Sequence, residues 1–277
     1  MWSIASYGRG RRTGPRADNG DTARIAARTY SYGPRRDQFG ELTPPASSSS
    51  WPVAVLIHGG FWRARYRLRL EDLLVSDLAD RGWAVWNLEY RRLGIRSRGG
   101  WPATFEDVAA GIDQLGTLDE PLDLARVVGI GHSAGGQLAL WAAARGGLPP
   151  EAPGADPAVR LAGAVAQGGV VDLREAARLR LSRRAAEKLL GGSPVRWPGR
   201  YDLASPFERL PLGLPQLLVH GDSDEVVPIA LARSYAERAA YAGDPCDLVE
   251  LAGCGHEEHL DPGSRAWAAV VGWLEKR

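Results

Sequence analysis

The sequence predicts one α/β domain: an open, mainly parallel sheet with helices on both faces. Three observations carry this. After residue 50, apolar runs without alternation recur, as strands covered on both faces require. Strand-like and helix-like segments then alternate to residue 277, the pattern of parallel crossovers. Finally, the run Val127-Val128-Gly129-Ile130 passes directly into Gly131-His132-Ser133-Ala134-Gly135-Gly136 and a helix-forming stretch, a strand–G-x-S-x-G–helix unit.

Composition sets the outer limits. The chain has 277 residues, 44% hydrophobic and 24% charged, enough for one large buried sheet. No repeat or composition break divides it. A formal net charge of +1 gives no pull toward nucleic acid or acidic lipid. Lysine occurs only at Lys188 and Lys276, so the positive charge is nearly all arginine. Cys246 and Cys254 allow one disulfide arithmetically but suggest no disulfide framework. No stretch approaches the roughly 18–20 apolar residues of a membrane span. Residues 1–23 carry several arginines and no apolar segment. They are expected to be a disordered leader, not a secretory signal. Residues 24–277 then form the single domain, and a cytoplasmic location is expected.

In order, Arg24–Tyr32 and Gln38–Leu42 read as an antiparallel edge pair across Gly33-Pro34. The serines Ser47 to Ser50 end a connector. Pro52–Ile57 is a buried strand, followed by His58-Gly59-Gly60-Phe61-Trp62. A helix is expected over Leu68–Arg81, stopped by Gly82. Trp83–Leu88 is the next strand, and Thr104 is placed to cap a helix bearing Val108, Ile112 and Leu115. Arg126–Ile130 is the strand before the serine turn. Leu161–Ala166 is a further strand, and an arginine-rich helix spans Leu173–Leu190. Strand Gln216–His220, helix Ile229–Tyr241, strand Asp247–Leu251 and helix Ser264–Lys276 complete the chain.

Sites in such sheets lie at the carboxyl ends of the strands. Four of these ends carry unusual polar groups. Ser133 follows one, on a turn tight enough to require glycine at positions 131 and 135. Its hydroxyl would stand at a helix N-terminus, beside free N–H groups. His220-Gly221-Asp222-Ser223-Asp224-Glu225 places three acids after a second strand, any of which could orient a histidine. Gly253-Cys254-Gly255-His256-Glu257-Glu258-His259 follows the last strand. The glycine-rich turn after Ile57 can aim amides into a site, joined by the Ala134 amide. His256 and His259 lack an H-E-x-x-H frame and a third ligand, so no metal is expected. No cofactor is expected either.

These pieces resemble the α/β-hydrolase superfamily, and within it the HGG-motif esterase, arylformamidase and feruloyl-esterase-like groups. The resemblance rests on His58-Gly59-Gly60-Phe61-Trp62, the serine hexapeptide, His220-Gly221-x-x-Asp224-x-x-Val227-Pro228 and Gly253-x-Gly255-His256. It covers roughly residues 28–277. It implies the α/β-hydrolase fold with a short cap or none, Ser133 as nucleophile, Asp224 as acid and His256 as base. Asp222 and His259 are the rivals for the last two roles. The oxyanion donors would be the amides of Gly60, Phe61 and Ala134. Phe61 stands where hormone-sensitive-lipase-like esterases have a third glycine, which is closer to the arylformamidases.

Trp62, Tyr90 and Trp101 are candidates to line the substrate pocket. The segment 172–210 is either a small cap or an ordinary crossover. The implied activity is metal-independent hydrolysis of small carboxylic esters through an acyl-enzyme. The alternative substrate is an aryl formamide such as N-formylkynurenine. A different class of function, a non-catalytic ligand-binding or scaffold protein, is disfavoured because every catalytic position holds a competent residue. The expected partner is a small ester or amide, with no role for nucleic acid or membrane. Activity should decline as the histidine base protonates, near neutral to mildly acid pH.

Overall fold

Strand β3 (Trp51–Ile57) shows why the sheet is covered on both sides. Val53, Val55 and Ile57 join one apolar cluster, while Ala54 and Leu56 join the other. Successive side chains alternate across a strand, so a run with no polar residue needs two apolar neighbours. In the computed structural model, residues 27–46 and 49–277 are described. The expected leader over residues 1–23 lies outside them.

The eight strands are β1 (Arg28–Ser31), β2 (Phe39–Thr43), β3, β4 (Ala84–Leu88), β5 (Leu122–His132), β6 (Gly163–Gln167), β7 (Gln216–Gly221) and β8 (Cys246–Leu251). Their order is β1-β2-β4-β3-β5-β6-β7-β8. The pairs β1–β2 and β2–β4 are antiparallel. All pairs from β4 through β3 to β8 are parallel. The expected antiparallel edge is therefore present. The order turns back between β3 and β5, the kind of switch point beside which ligands bind in open α/β sheets.

The helices are α1 (Asp72–Asp80), α2 (Ala103–Asp113), α3 (Ala134–Ala143), α4 (Leu173–Arg178), α5 (Leu181–Leu190), α6 (Pro198–Ala204), α7 (Ala230–Tyr241) and α8 (Arg265–Leu274). Leu74 and Leu78 of α1 pack with Trp267 and Val270 of α8 under one face. Trp267 also donates its indole N–H to Asp77, at 2.6 Å. Residues of α2, α3 and α7 cover the other face, joined by α4, α5 and α6.

Three local expectations are corrected. Thr104 does not cap α2, which starts after Pro102; its hydroxyl bridges Gly100 N–H and the Arg91 carbonyl instead. The helix expected from Leu68 begins as a 3-10 turn, Leu68–Glu71. The helix expected over Leu173–Leu190 is broken: Arg180, Ser182, Arg183 and Arg184 have φ of 54°, 44°, 58° and 60°. Left-handed backbone is unfavourable for residues with a Cβ, so propensity alone gives no warning of this break. Cys246 and Cys254 are both free.

Candidate active site

The serine turn is locked by backbone contact. A Cβ on Gly131 would lie 2.1 Å from the Gly135 carbonyl oxygen, and one on Gly135 would lie 1.7 Å from that of Ile57. Neither position tolerates any side chain, so β5, the turn and α3 close onto β3. Ser133 itself has φ 57° and ψ −117°, a strained backbone of the kind held only by surrounding structure. Its own N–H donates to the Gln167 carbonyl at the end of β6, at 2.8 Å.

The acid and the base meet across the ends of β7 and β8. His256 Nδ1 lies 2.7 Å from Asp224 Oδ2. Asp224 Oδ1 accepts the backbone N–H groups of Val226 and Val227, both at 2.8 Å. Burial pushes the Asp224 carboxyl up, but hydrogen bonds from His220 and His256 and the charge of His256 outweigh this. The net result holds it well below the usual carboxylate range. It is therefore a fixed anion facing one edge of the His256 ring, leaving Nε2 as the proton-accepting atom. Both members flank Gly168, whose Cβ position is 3.1 Å from His256 Nδ1 and 3.3 Å from Asp224 Oδ2. Gly168 directly follows Gln167, the residue that anchors the Ser133 amide.

The turn after β3 completes the constellation. A Cβ on Gly59 would sit 3.1 Å from Ser133 Cβ, so this loop rests against the serine. Gly60 (φ 102°), Phe61 (φ 49°) and Trp62 (φ 55°) are three successive left-handed residues. The amides of Gly60, Phe61 and Ala134 are bonded to no protein acceptor among the described residues. Such an arrangement can transfer an acyl group: a seated serine, a charge-backed histidine and uncommitted amides at a helix start.

Known proteins resemble this chain in sequence and in fold. The family model described as BD-FAE matches residues 42–238. The chain belongs to the BD-FAE family. This is a family of α/β-hydrolase-type esterases. A relative, the esterase LipC of Mycobacterium tuberculosis, is 29% identical over 230 residues, covering 77% of this chain and 55% of that protein. The chain thus spans about half of LipC. An acetyl-hydrolase of Streptomyces hygroscopicus is 34% identical over 273 residues, with 87% of each covered. Among solved structures, a truncated carbohydrate esterase from gut microbiota superposes with a TM-score of 0.76. It is 18% identical, with 93% of this chain and 99% of that chain covered.

In this BD-FAE family member the two rival residues have different surroundings. Asp222 is exposed and accepts from Ser223 and Gly253. His259 is fully buried, and neither ring nitrogen has a partner. Burial, then the charges of His220 and His256, push its pKa down to about 3. His132 is held well below the ordinary histidine range by burial and by His256 and His259. Its Nε2 lies 2.9 Å from the His256 carbonyl. Among the described residues, no group of three or more His, Cys, Asp or Glu side chains is arranged to hold a metal ion.

Two pocket expectations are corrected. Trp62 is fully buried and donates its indole N–H to Gln137 at 3.1 Å. Tyr90 is also fully buried; it stacks on His58 at 4.5 Å and donates to the His58 carbonyl at 2.7 Å. Both brace the glycine-rich loop from behind and line no open space. Trp101 is partly buried, edge-on to Phe105 at 5.2 Å. The segment 172–210 does reach the loops near the site: the Arg63 guanidinium donates to the Ser182 carbonyl, and Trp101 N–H to that of Leu189.

Sequence reasoning missed two supporting groups. His220 Nε2 lies 2.9 Å from the Val227 carbonyl and 3.2 Å from Asp224 Oδ2. A ring nitrogen that close to a carbonyl is a donor, so His220 also donates toward the acid. Its i, i+4 spacing from Asp224 is the one signal that could have shown this. Behind the glycine loop, Glu89 Oε1 lies 3.0 Å from His58 Nε2 and 3.2 Å from Arg92. Arg92 also reaches Asp37, at 3.3 Å. No spacing rule joins residues 37, 58, 89 and 92.

Proposed function

We propose that the chain is a metal-independent serine hydrolase that cleaves small carboxylic esters through an acyl-enzyme. The observation that carries this is the 2.7 Å Asp224–His256 pair at the same end of the sheet as the strained Ser133 turn. His256 Nε2 takes the proton of the Ser133 hydroxyl as its oxygen attacks the ester carbonyl. Asp224 fixes the ring with Nδ1–H pointing at the carboxylate and stabilises the imidazolium. Amides of Gly60, Phe61 and Ala134 stabilise the tetrahedral oxyanion; losing one such donor typically costs about 3–4 kcal/mol. His256 then protonates the departing alkoxide as the carbon–oxygen bond breaks. Water, deprotonated by His256, attacks the acyl-enzyme and releases the carboxylic acid. The relatives named as an esterase and an acetyl-hydrolase support small acyl esters as the substrate class.

The test is fluorophosphonate labelling of the wild type and of Ser133→Ala, with p-nitrophenyl butyrate turnover in parallel. Labelling and turnover are expected in the wild type alone. An unlabelled wild type would point to the non-catalytic scaffold instead. Phe61, in place of a third glycine, favours one further arm, N-formylkynurenine. A higher kcat/KM for that formamide than for the butyrate ester would replace the ester reading.

A further inference from the structure

The rim of this site holds a group of arginines that the mechanism above does not use. Gly59 abuts Ser133, and Gly60 and Phe61 follow it. Arg63 is two residues beyond Phe61, a span of at most about 7 Å. Its guanidinium sits 5.9 Å from the Phe61 ring centre and donates to the Ser182 carbonyl in the left-handed turn. The Arg65 guanidinium lies 4.6 Å from the centre of the Tyr66 ring. That ring in turn covers Gly60, whose Cβ would fall 2.3 Å from Tyr66 Cδ2. Arg183, exposed in the left-handed turn, bears on Arg63 as a like charge.

Elsewhere in segment 172–210, Arg174 pairs with Asp202 and Glu208, Arg178 with Glu175, and Arg184 with Glu187. Among the described residues, Arg63, Arg65 and Arg183 have no carboxylate within ion-pair distance. Among the same residues, Arg180, Arg196, Arg200 and Arg209 also lack a carboxylate partner. What distinguishes Arg63, Arg65 and Arg183 is therefore their place around the glycine-rich loop and the turn that Arg63 reaches. Arg63 is also half-buried. Burial and the charges of Arg65 and Arg183 lower its pKa, so the cation is held where it is disfavoured. The turn opposite is itself costly, because Ser182, Arg183 and Arg184 carry left-handed backbone. Like charges gathered without a counterion, next to a reaction centre, fit an anion supplied by the substrate. A guanidinium fork matches a carboxylate in a way that a neutral ester group does not.

We infer that Arg63, assisted by Arg65 and Arg183, binds a carboxylate on the substrate. The preferred substrates are then half-esters of short dicarboxylic acids rather than neutral esters. This rests on the serine-hydrolase reading for its chemistry, but the binding itself can be measured without turnover.

Two measurements separate the ideas. The first is kcat/KM for mono-p-nitrophenyl glutarate against p-nitrophenyl butyrate, in the wild type, Arg63→Gln and Arg183→Gln. The wild-type ratio is expected to favour the half-ester by about tenfold, the typical value of one charge-assisted contact. It should fall toward parity in either variant and as salt rises from about 0.05 to 0.5 M. The ratio cancels any general loss of activity, and exposed Arg183 serves if Arg63→Gln folds poorly. The second is calorimetric titration of Ser133→Ala with monomethyl glutarate and with dimethyl glutarate. The half-ester should bind about tenfold tighter, and adding Arg183→Gln should remove the difference. Equal binding of the two ligands, or a preference that both arginine variants retain, overturns the inference. Preferential half-ester binding with no turnover of either ester would sink the hydrolase reading and leave the arginine assignment standing.

Discussion

At the residue scale, the site is organised around one anion. Asp224 receives two backbone N–H groups and two imidazoles. His220 is the least expected of these. His220→Leu removes one donor to the carboxylate and is expected to lower kcat/KM about tenfold, the worth of one charge-assisted hydrogen bond. The labelling rate should fall in step, with thermal stability nearly kept. A second buried acid behaves oppositely. Glu71 is fully buried beside Asp72; burial and then that neighbour push it up to about 8. Its folded pKa lies above the unfolded value, so the native state holds the proton longer. Stability must then fall as pH rises from about 4.3 to about 8. Glu71→Gln should raise stability by about 2–4 kcal/mol at pH 8 and change it little at pH 5, read by urea unfolding at both values.

The placement of Ser133, Asp224 and His256 at strand ends could be read from sequence because each follows an apolar run with a sharp polar break. Trp62 and Tyr90 could not be placed this way. Both sit in loops on the correct edge of the sheet, where an aromatic ring can face solvent or the interior. The choice was made by partners distant in sequence, Gln137 for Trp62 and the His58 ring for Tyr90.

At the element scale, the sheet strands were legible and the segment after β6 was not. Apolar runs report double burial directly. At the break between α4 and α5, Arg63 instead reaches the Ser182 carbonyl from a loop more than a hundred residues earlier, a contact that no local pattern reports. The left-handed stretch yields its own prediction. Ser182→Gly keeps that carbonyl and removes the Cβ conflict. Stability should rise by about 0.5–1 kcal/mol, the relief of left-handed strain less the entropy of a glycine. Lower stability on denaturant unfolding would show that this turn is not strained. By contrast, Gly135→Ala should destroy the fold or the activity, since its new methyl would enter the Ile57 carbonyl.

At the scale of the whole molecule, the parallel sheet brings strand ends 133, 168, 224 and 256 to one edge, although the chain between them spans more than a hundred residues. Electrostatics at that edge are simple in one respect. Asp224 is ionised at any ordinary pH, since its folded pKa lies below the unfolded one. The stability it contributes is present above about pH 3.9 and lost as pH falls below that. His132 and His259 are held neutral. The acid limb of log kcat/KM against pH should therefore have a slope of one, from the base alone. A slope of two would mean that a second imidazole must also be neutral.

That same burial has a spectroscopic consequence. The chain has five histidines, and all five are buried at this one edge: His58, His132, His220, His256 and His259. None lies on the outer surface or on the far side of the sheet. Nitrogen-15 labelling of histidine alone would give an NMR spectrum in which every imidazole signal comes from the neighbourhood of the proposed site. Tautomer, protonation and the arrival of a ligand could then be followed there with no background from the rest of the protein.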